Sequence, residues 1–172
     1  MKSAKKILAL ILAGVMALAL LTGCGKATSL NRTVAEGLAE YAKSSYVQAG
    51  NKNNISVSYQ VPELGRNIAP LFDENWITKD SGDDVLTEAA KATLTDILGL
   101  YISATSAVTF RAADVTDVKT PFVEGTNLID SMIVFAADNS GLSAASITSL
   151  KIEVTHKTVN GRTYALAVII EE

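Results

Sequence analysis

The stretch Leu150–Ile170, LKIEVTHKTVNGRTYALAVII, decides the fold. Two runs rich in β-branched and apolar residues, Leu150 to Thr158 and Arg162 to Ile170, flank Asn160-Gly161, the signature of a β-hairpin. A two-residue Asn-Gly loop would set Val154 opposite Ala167 and Glu153 opposite Val168, mixing charged and large apolar side chains on one face. A three-residue loop, Val159-Asn160-Gly161, shifts the pairing by one. Ile152 then faces Val168, Val154 faces Leu166, His156 faces Tyr164 and Leu150 faces Ile170. A one-residue slip moves every side chain to the opposite face, so the uniformly apolar face is expected to select this second register. Gly161 is expected to be left-handed, in a G1 bulge after a type I turn.

Working outward, Asn31 to Gln48 carries Val34, Leu38, Tyr41, Ala42 and Tyr46 at helical spacing, with Asn31 as its expected cap. Gly50 to Asn54 reads as a turn, and Ile55 to Val61 alternates as a half-buried strand that ends at Pro62. The segment from Pro62 to Gly82 is irregular, with one short helical turn expected near Pro70. A second helix is expected from Asp83 to Ile102, its stripe formed by Leu86, Ala90, Leu94, Ile97, Leu98 and Tyr101. Ala107 to Ala112 reads as a strand and Asp114 to Gly125 as a loop. Asn127 to Asn139 fits either a helix, capped by Asn127 and stopped by Gly141, or a strand through Ile133-Val134-Phe135. The helix is the preferred reading. Together these elements predict a single α+β domain over residues 31–172: an antiparallel sheet of about four strands, two or three helices on one face, and a C-terminal hairpin.

The N-terminus has a different character. Lys2, Lys5 and Lys6 precede an apolar run from Ile7 to Leu21, which is too short to span a bilayer as a helix and has the layout of a secretory signal. It ends in Leu21-Thr22-Gly23-Cys24. This resembles the lipobox of bacterial lipoproteins, with Leu21 at the apolar recognition position and Gly23 before the cleavage point. The resemblance implies a signal peptide over residues 1–23, removed on export, and a diacylglycerol on the thiol of Cys24. Residues 24–30 then form a lipidated cysteine and a short tether, at most about 20 Å when fully extended. It also implies a location on the extracytoplasmic face of the cell membrane, held by lipid, since two or more acyl chains on one residue anchor stably. The domain is thereby expected to lie close to the bilayer.

Composition narrows the function. The chain has 172 residues, a single cysteine and a single histidine, which excludes an internal disulfide framework and a multi-histidine metal centre. Net charge is −3 and becomes −6 once Lys2, Lys5 and Lys6 are removed. An acidic domain without a basic patch gains nothing from phosphate backbones, so no nucleic-acid partner is expected.

Catalytic patterns are scarce. His156 lies mid-strand and reads as a half-buried strand residue against Tyr164, not as the base of a nucleophilic triad. Gly141-Leu142-Ser143-Ala144-Ala145 lacks the closing glycine of a nucleophile elbow. After Cys24 no serine stands three residues before a lysine, and no glycine-rich phosphate loop occurs. Asp80, Asp83 and Asp84 are candidate calcium ligands, although their spacing departs from an EF-hand loop. Carboxylates that cap a helix start explain them more simply. Phe72 and Trp76, with Tyr59, are candidate ligand residues, because aromatic rings can stack on sugars, although such rings more often close the edge of a core. No cofactor is expected. The expected function is non-enzymatic: binding of an envelope protein or a cell-wall polymer beside the membrane. The alternatives are a module for a small ligand, a sugar or Ca2+, and an envelope hydrolase built on paired carboxylates.

Overall fold

The computed structural model describes residues 30–137 and 142–172. Helix α1 (Leu30–Gln48) leads to a short strand β1 (Ser56–Ser58). A π-helical turn, Leu64–Ile68, and a 3-10 turn, Glu74–Trp76, follow. Then come the hairpin β2 (Ile77–Asp80) and β3 (Asp83–Leu86), helix α2 (Glu88–Leu98) and strand β4 (Ala107–Asp114). Helix α3 (Pro121–Ile129) and strand β5 (Ile133–Ala137) precede the long hairpin of β6 (Ser149–Val159) and β7 (Arg162–Glu171).

The α+β class and the C-terminal hairpin match the expectation; the layering does not. The main sheet has five strands in the order β1-β6-β7-β4-β5, with β1 parallel to β6 and the other neighbours antiparallel, and β2–β3 forms a separate pair. Helices cover both faces. On one side α1 and α3 pack Val34, Leu38 and Leu128 over Leu150, Ile152, Val154, Ala165 and Ala167. On the other, α2 and the segment from Val61 to Trp76 bring Leu94, Leu98, Leu64, Ile68 and Phe72 onto Val108, Phe110, Leu166, Val168 and Ile170. Central strand β7 is therefore buried on both faces, as a near-continuous apolar run requires.

That double burial explains the correction to the hairpin register. The loop has two residues: Val159 pairs with Arg162, Val154 with Ala167, Ile152 with Ile169, Leu150 with Glu171 and His156 with Ala165. Asn160 (φ 49°) and Gly161 (φ 78°) both adopt left-handed backbone, the requirement of a type I′ turn, whose twist matches that of the flanking strands. With core on both faces of β7, a uniform apolar face no longer discriminates between registers, and the turn decides. The polar alternates of β6 lie at the margin of the α2-side core, where they find partners. Glu153 Oε2 accepts the Val61 N–H at 2.6 Å, and Lys151 pairs with Glu172.

Three further expectations are corrected. Asp83 and Asp84 belong to strand β3, not to a helix start; Ser81 and Gly82 (φ 52° and 99°) make the β2–β3 turn. The helix begins after Thr87, whose Oγ1 accepts the Ala90 N–H at 3.3 Å. Within Asn127–Asn139 the strand alternative holds, as β5, and Asn127 lies inside α3 rather than capping a helix. Proline at the first helical position starts α3 at Pro121, within the expected loop. At the other end of α3, Arg111 of β4 donates to the Leu128 and Ile129 carbonyls (3.3 and 2.5 Å), holding a cation at the negative pole of the helix.

Candidate functional site

Helix α1 runs antiparallel to β6: Asn31, at its start, reaches His156, whereas Tyr46, near its end, hydrogen-bonds Glu171. A Gly50 in left-handed backbone closes α1, and the buried Asn51 that follows donates to the Ala144 and Ile147 carbonyls at 2.8 and 2.9 Å. The first turn of α1 is thereby held against the second half of β6.

There β6 has an open edge. Ser149 exchanges backbone hydrogen bonds with Glu172 (2.9 and 3.0 Å), which turns its amide toward β7. The period of two then turns Leu150, Ile152, Val154, His156 and Thr158 outward. Strand β1 meets this edge only from Ser149 to Lys151. Among the described residues no strand lies beside Val154 to Val159. At the opposite margin of the sheet, by contrast, β3 packs beside β5.

Where β1 departs, a shallow cleft of about 270 Å³ opens between Asn31, Arg32, Tyr59, Gln60, Glu153 and Val154. Its wall is organised by charge. The Arg32 guanidinium sits 3.6 Å from the centre of the Tyr59 ring while its Nε donates to Glu36 Oε1 at 2.7 Å. Burial and the charge of Glu36 push the Tyr59 hydroxyl above its ordinary pKa against the opposing pull of Arg32, so the phenol is a neutral donor.

Beside the cleft lies a buried polar cluster. His156 points to the α1–α3 side rather than across to Tyr164, as a strand residue paired with Ala165 must. Its Nε2 lies 2.7 Å from Glu124 Oε2 and its Nδ1 lies 2.6 Å from Asn31 Oδ1. The doubly protonated ring donates to both oxygens. With the Asn31 amide turned over, the neutral ring keeps both contacts as well. Glu124 is 4% exposed and is one of few buried charged residues in the domain. Through these two contacts His156 ties β6 to the starts of α1 and α3. The sequence reading missed Glu124 and Asn31 as partners of His156. A charged residue at an inward position of an otherwise apolar helix was the one available signal.

The other candidates fall elsewhere. Asp80 and Asp83 face each other at the tip of the β2–β3 hairpin, and Asp84 is held by Lys79 at 2.7 Å and approached by Arg162 at 3.6 Å. No group of three histidine, cysteine, aspartate or glutamate side chains converges on one point among the described residues. Phe72 and Trp76 are core residues, fully and almost fully buried. Phe72 meets Trp76 and Tyr164 edge to face, at 5.6 and 5.3 Å between ring centres. Neither ring offers a face to a sugar. Cys24, the expected signal peptide and the expected tether except Leu30 lie outside the described residues, and no described helix is long and apolar enough to cross a membrane.

Comparison with protein-family models, with curated proteins and with solved structures returns no match.

Proposed function

We propose that this chain is a lipid-anchored, extracytoplasmic binding domain without enzymatic activity, held to the membrane through Cys24, that takes up an extended segment of a neighbouring envelope protein along β6. The observation that carries the reading is the open half of β6. Val154, His156 and Thr158 direct backbone N–H and C=O groups outward with no strand beside them among the described residues. An edge of that kind is complementary to an extended backbone, which joins the sheet as one more strand. Lys157, beside the edge, supplies the charge that discourages edge-to-edge pairing of identical chains. The lipobox resemblance supports the anchor.

Photo-cross-linking in native membranes tests the binding reading, with a photoreactive residue at Lys157 and, as a control, at Leu100, which is 91% exposed in the 3-10 turn that follows α2. A discrete adduct is expected from Lys157 alone. It is expected to vanish in Thr158→Pro, where proline removes an outward N–H and leaves the β6–β7 ladder intact. An adduct insensitive to this proline, or equal adducts from both positions, would refute strand addition. The anchor has a separate test: Cys24→Ala is expected to leave an uncleaved or membrane-released chain without diacylglycerol by mass.

A small polar ligand such as a sugar is the second reading, favoured by the cleft where Arg32, Tyr59, Gln60 and Glu153 offer donors and acceptors. It predicts a rise in Tm with cell-wall sugars, about 2.7 kcal/mol of added stability at a hundredfold excess over Kd. Binding of a protein segment predicts no such rise.

A further inference from the structure

We infer that Leu30, Phe122 and Val123 form the face that the domain sets against the bilayer, with the hydrocarbon–headgroup boundary as its occupant. The inference rests on the lipid-anchor reading and adds the orientation of the domain. These three side chains are 45, 42 and 43% exposed, although each is large and apolar. They lie at one end of the molecule. Leu30 precedes Asn31 and Val123 precedes Glu124, and a single imidazole, that of His156, bridges Asn31 and Glu124. Leu30 is also the first residue of α1, six residues after Cys24. A tether of about 20 Å at most cannot carry this end far from the membrane.

The opposite end is held away. Helix α1 has 19 residues, about 28 Å of rise, between Leu30 and Gln48. Val47, at its far end, and Leu100, before the start of β4, are also exposed, at 64 and 91%. Neither is near the tether, so the two serve as internal controls. The rim of the proposed face carries both Lys119 and Asp117, exposed, so contact would rely on apolar burial rather than on attraction to anionic lipid.

The test uses the full lipidated chain, in which the Cys24 thiol is blocked by its thioether. Single substitutions Phe122→Cys, Val123→Cys, Val47→Cys and Leu100→Cys carry an environment-sensitive fluorophore. Each protein is reconstituted in vesicles of equal parts phosphatidylethanolamine and phosphatidylglycerol, with or without a lipid bearing a nitroxide at headgroup depth. Unchanged thermal melts establish that the surface substitutions leave the fold intact. Fluorescence at positions 122 and 123 is expected to fall by half or more with the nitroxide lipid, and at positions 47 and 100 to stay unchanged. Equal response at all four positions would overturn the inference. So would shielding of positions 122 and 123 that depends on protein density and not on the nitroxide, since that assigns the face to a second copy of the chain. A wild-type chain with a free Cys24 thiol that fails to float with vesicles would overturn the anchor itself, an outcome distinct from the other two.

Discussion

Glu124 Oε2 and His156 Nε2 lie 2.7 Å apart in the interior, the carboxylate almost wholly removed from water and the ring largely so. This contact joins the first turn of α3 to β6, and through Asn31 it also holds the start of α1. Breaking a buried pair by removing one partner strands the other, at a cost of about 3–5 kcal/mol. His156→Ala and Glu124→Ala are each expected to lose stability of that order in urea unfolding. The double variant is expected to lose less than the two single losses combined, because no charge is then left unpartnered. Strict additivity would show that the contact contributes nothing as a pair.

Two glycines make opposite predictions. Gly161 has φ 78° in the β6–β7 turn, and Gly161→Ala is expected to destabilise by about 1 kcal/mol, because an L-residue resists left-handed backbone. Gly37 lies inside α1, where an added Cβ meets nothing within 4 Å. Gly37→Ala is expected to stabilise by about 0.5–1 kcal/mol through helix propensity. Thermal unfolding of the two variants distinguishes them by sign.

Acid stability is expected to depend on Asp114. Partial burial raises its pKa, but hydrogen bonds from the Thr116 side chain and backbone and from Arg162 outweigh it and hold the carboxyl below its ordinary 3.8. A depressed carboxyl contributes stability above its unfolded-state pKa and loses it as pH falls through the folded value. Wild type is therefore expected to lose this contribution below about pH 4. In Asp114→Asn the urea midpoint is expected to be lower at neutral pH and to fall less steeply in acid. Equal slopes for both proteins below pH 4 would refute the assignment.

Phe72 and Trp76 belong to the core, and their substitution is expected to act on folding. Phe72→Ala is expected to cost about 3–5 kcal/mol, the range for truncating a buried aromatic side chain. Trp76 fluorescence is expected to be blue-shifted in the native state, to shift red on unfolding, and to stay unchanged on adding cell-wall sugars. Quenching by a sugar without loss of fold would place a ligand against the indole.

Much of the secondary structure was legible in the sequence, element by element. Helix α1 emerged within one residue of its observed start from apolar spacing alone, because its buried stripe faces one layer and its outer face is solvated. The hairpin emerged from Asn160-Gly161. The Ala-rich stretch gave α2, but its start was misplaced by five residues, because Asp83 and Asp84 resemble a helix entry and Thr87 supplies the cap instead. The candidate site was hardly legible. Asn31 and His156 stand 125 positions apart and Glu124 stands 32 from His156, and no local pattern marks their meeting.

The sequence by itself determined the α+β class, helices α1 and α2 and the existence of the C-terminal hairpin around Asn160-Gly161, all of which depend on neighbours a few residues away. Tertiary structure alone decided the placing of helices on both faces of the sheet, the parallel pairing of β1 and the burial of Glu124 against His156. Each of these depends on which surfaces distant segments present to one another. A strand such as β7, apolar at nearly every position, carries no periodicity that reveals how many of its faces the rest of the chain will cover.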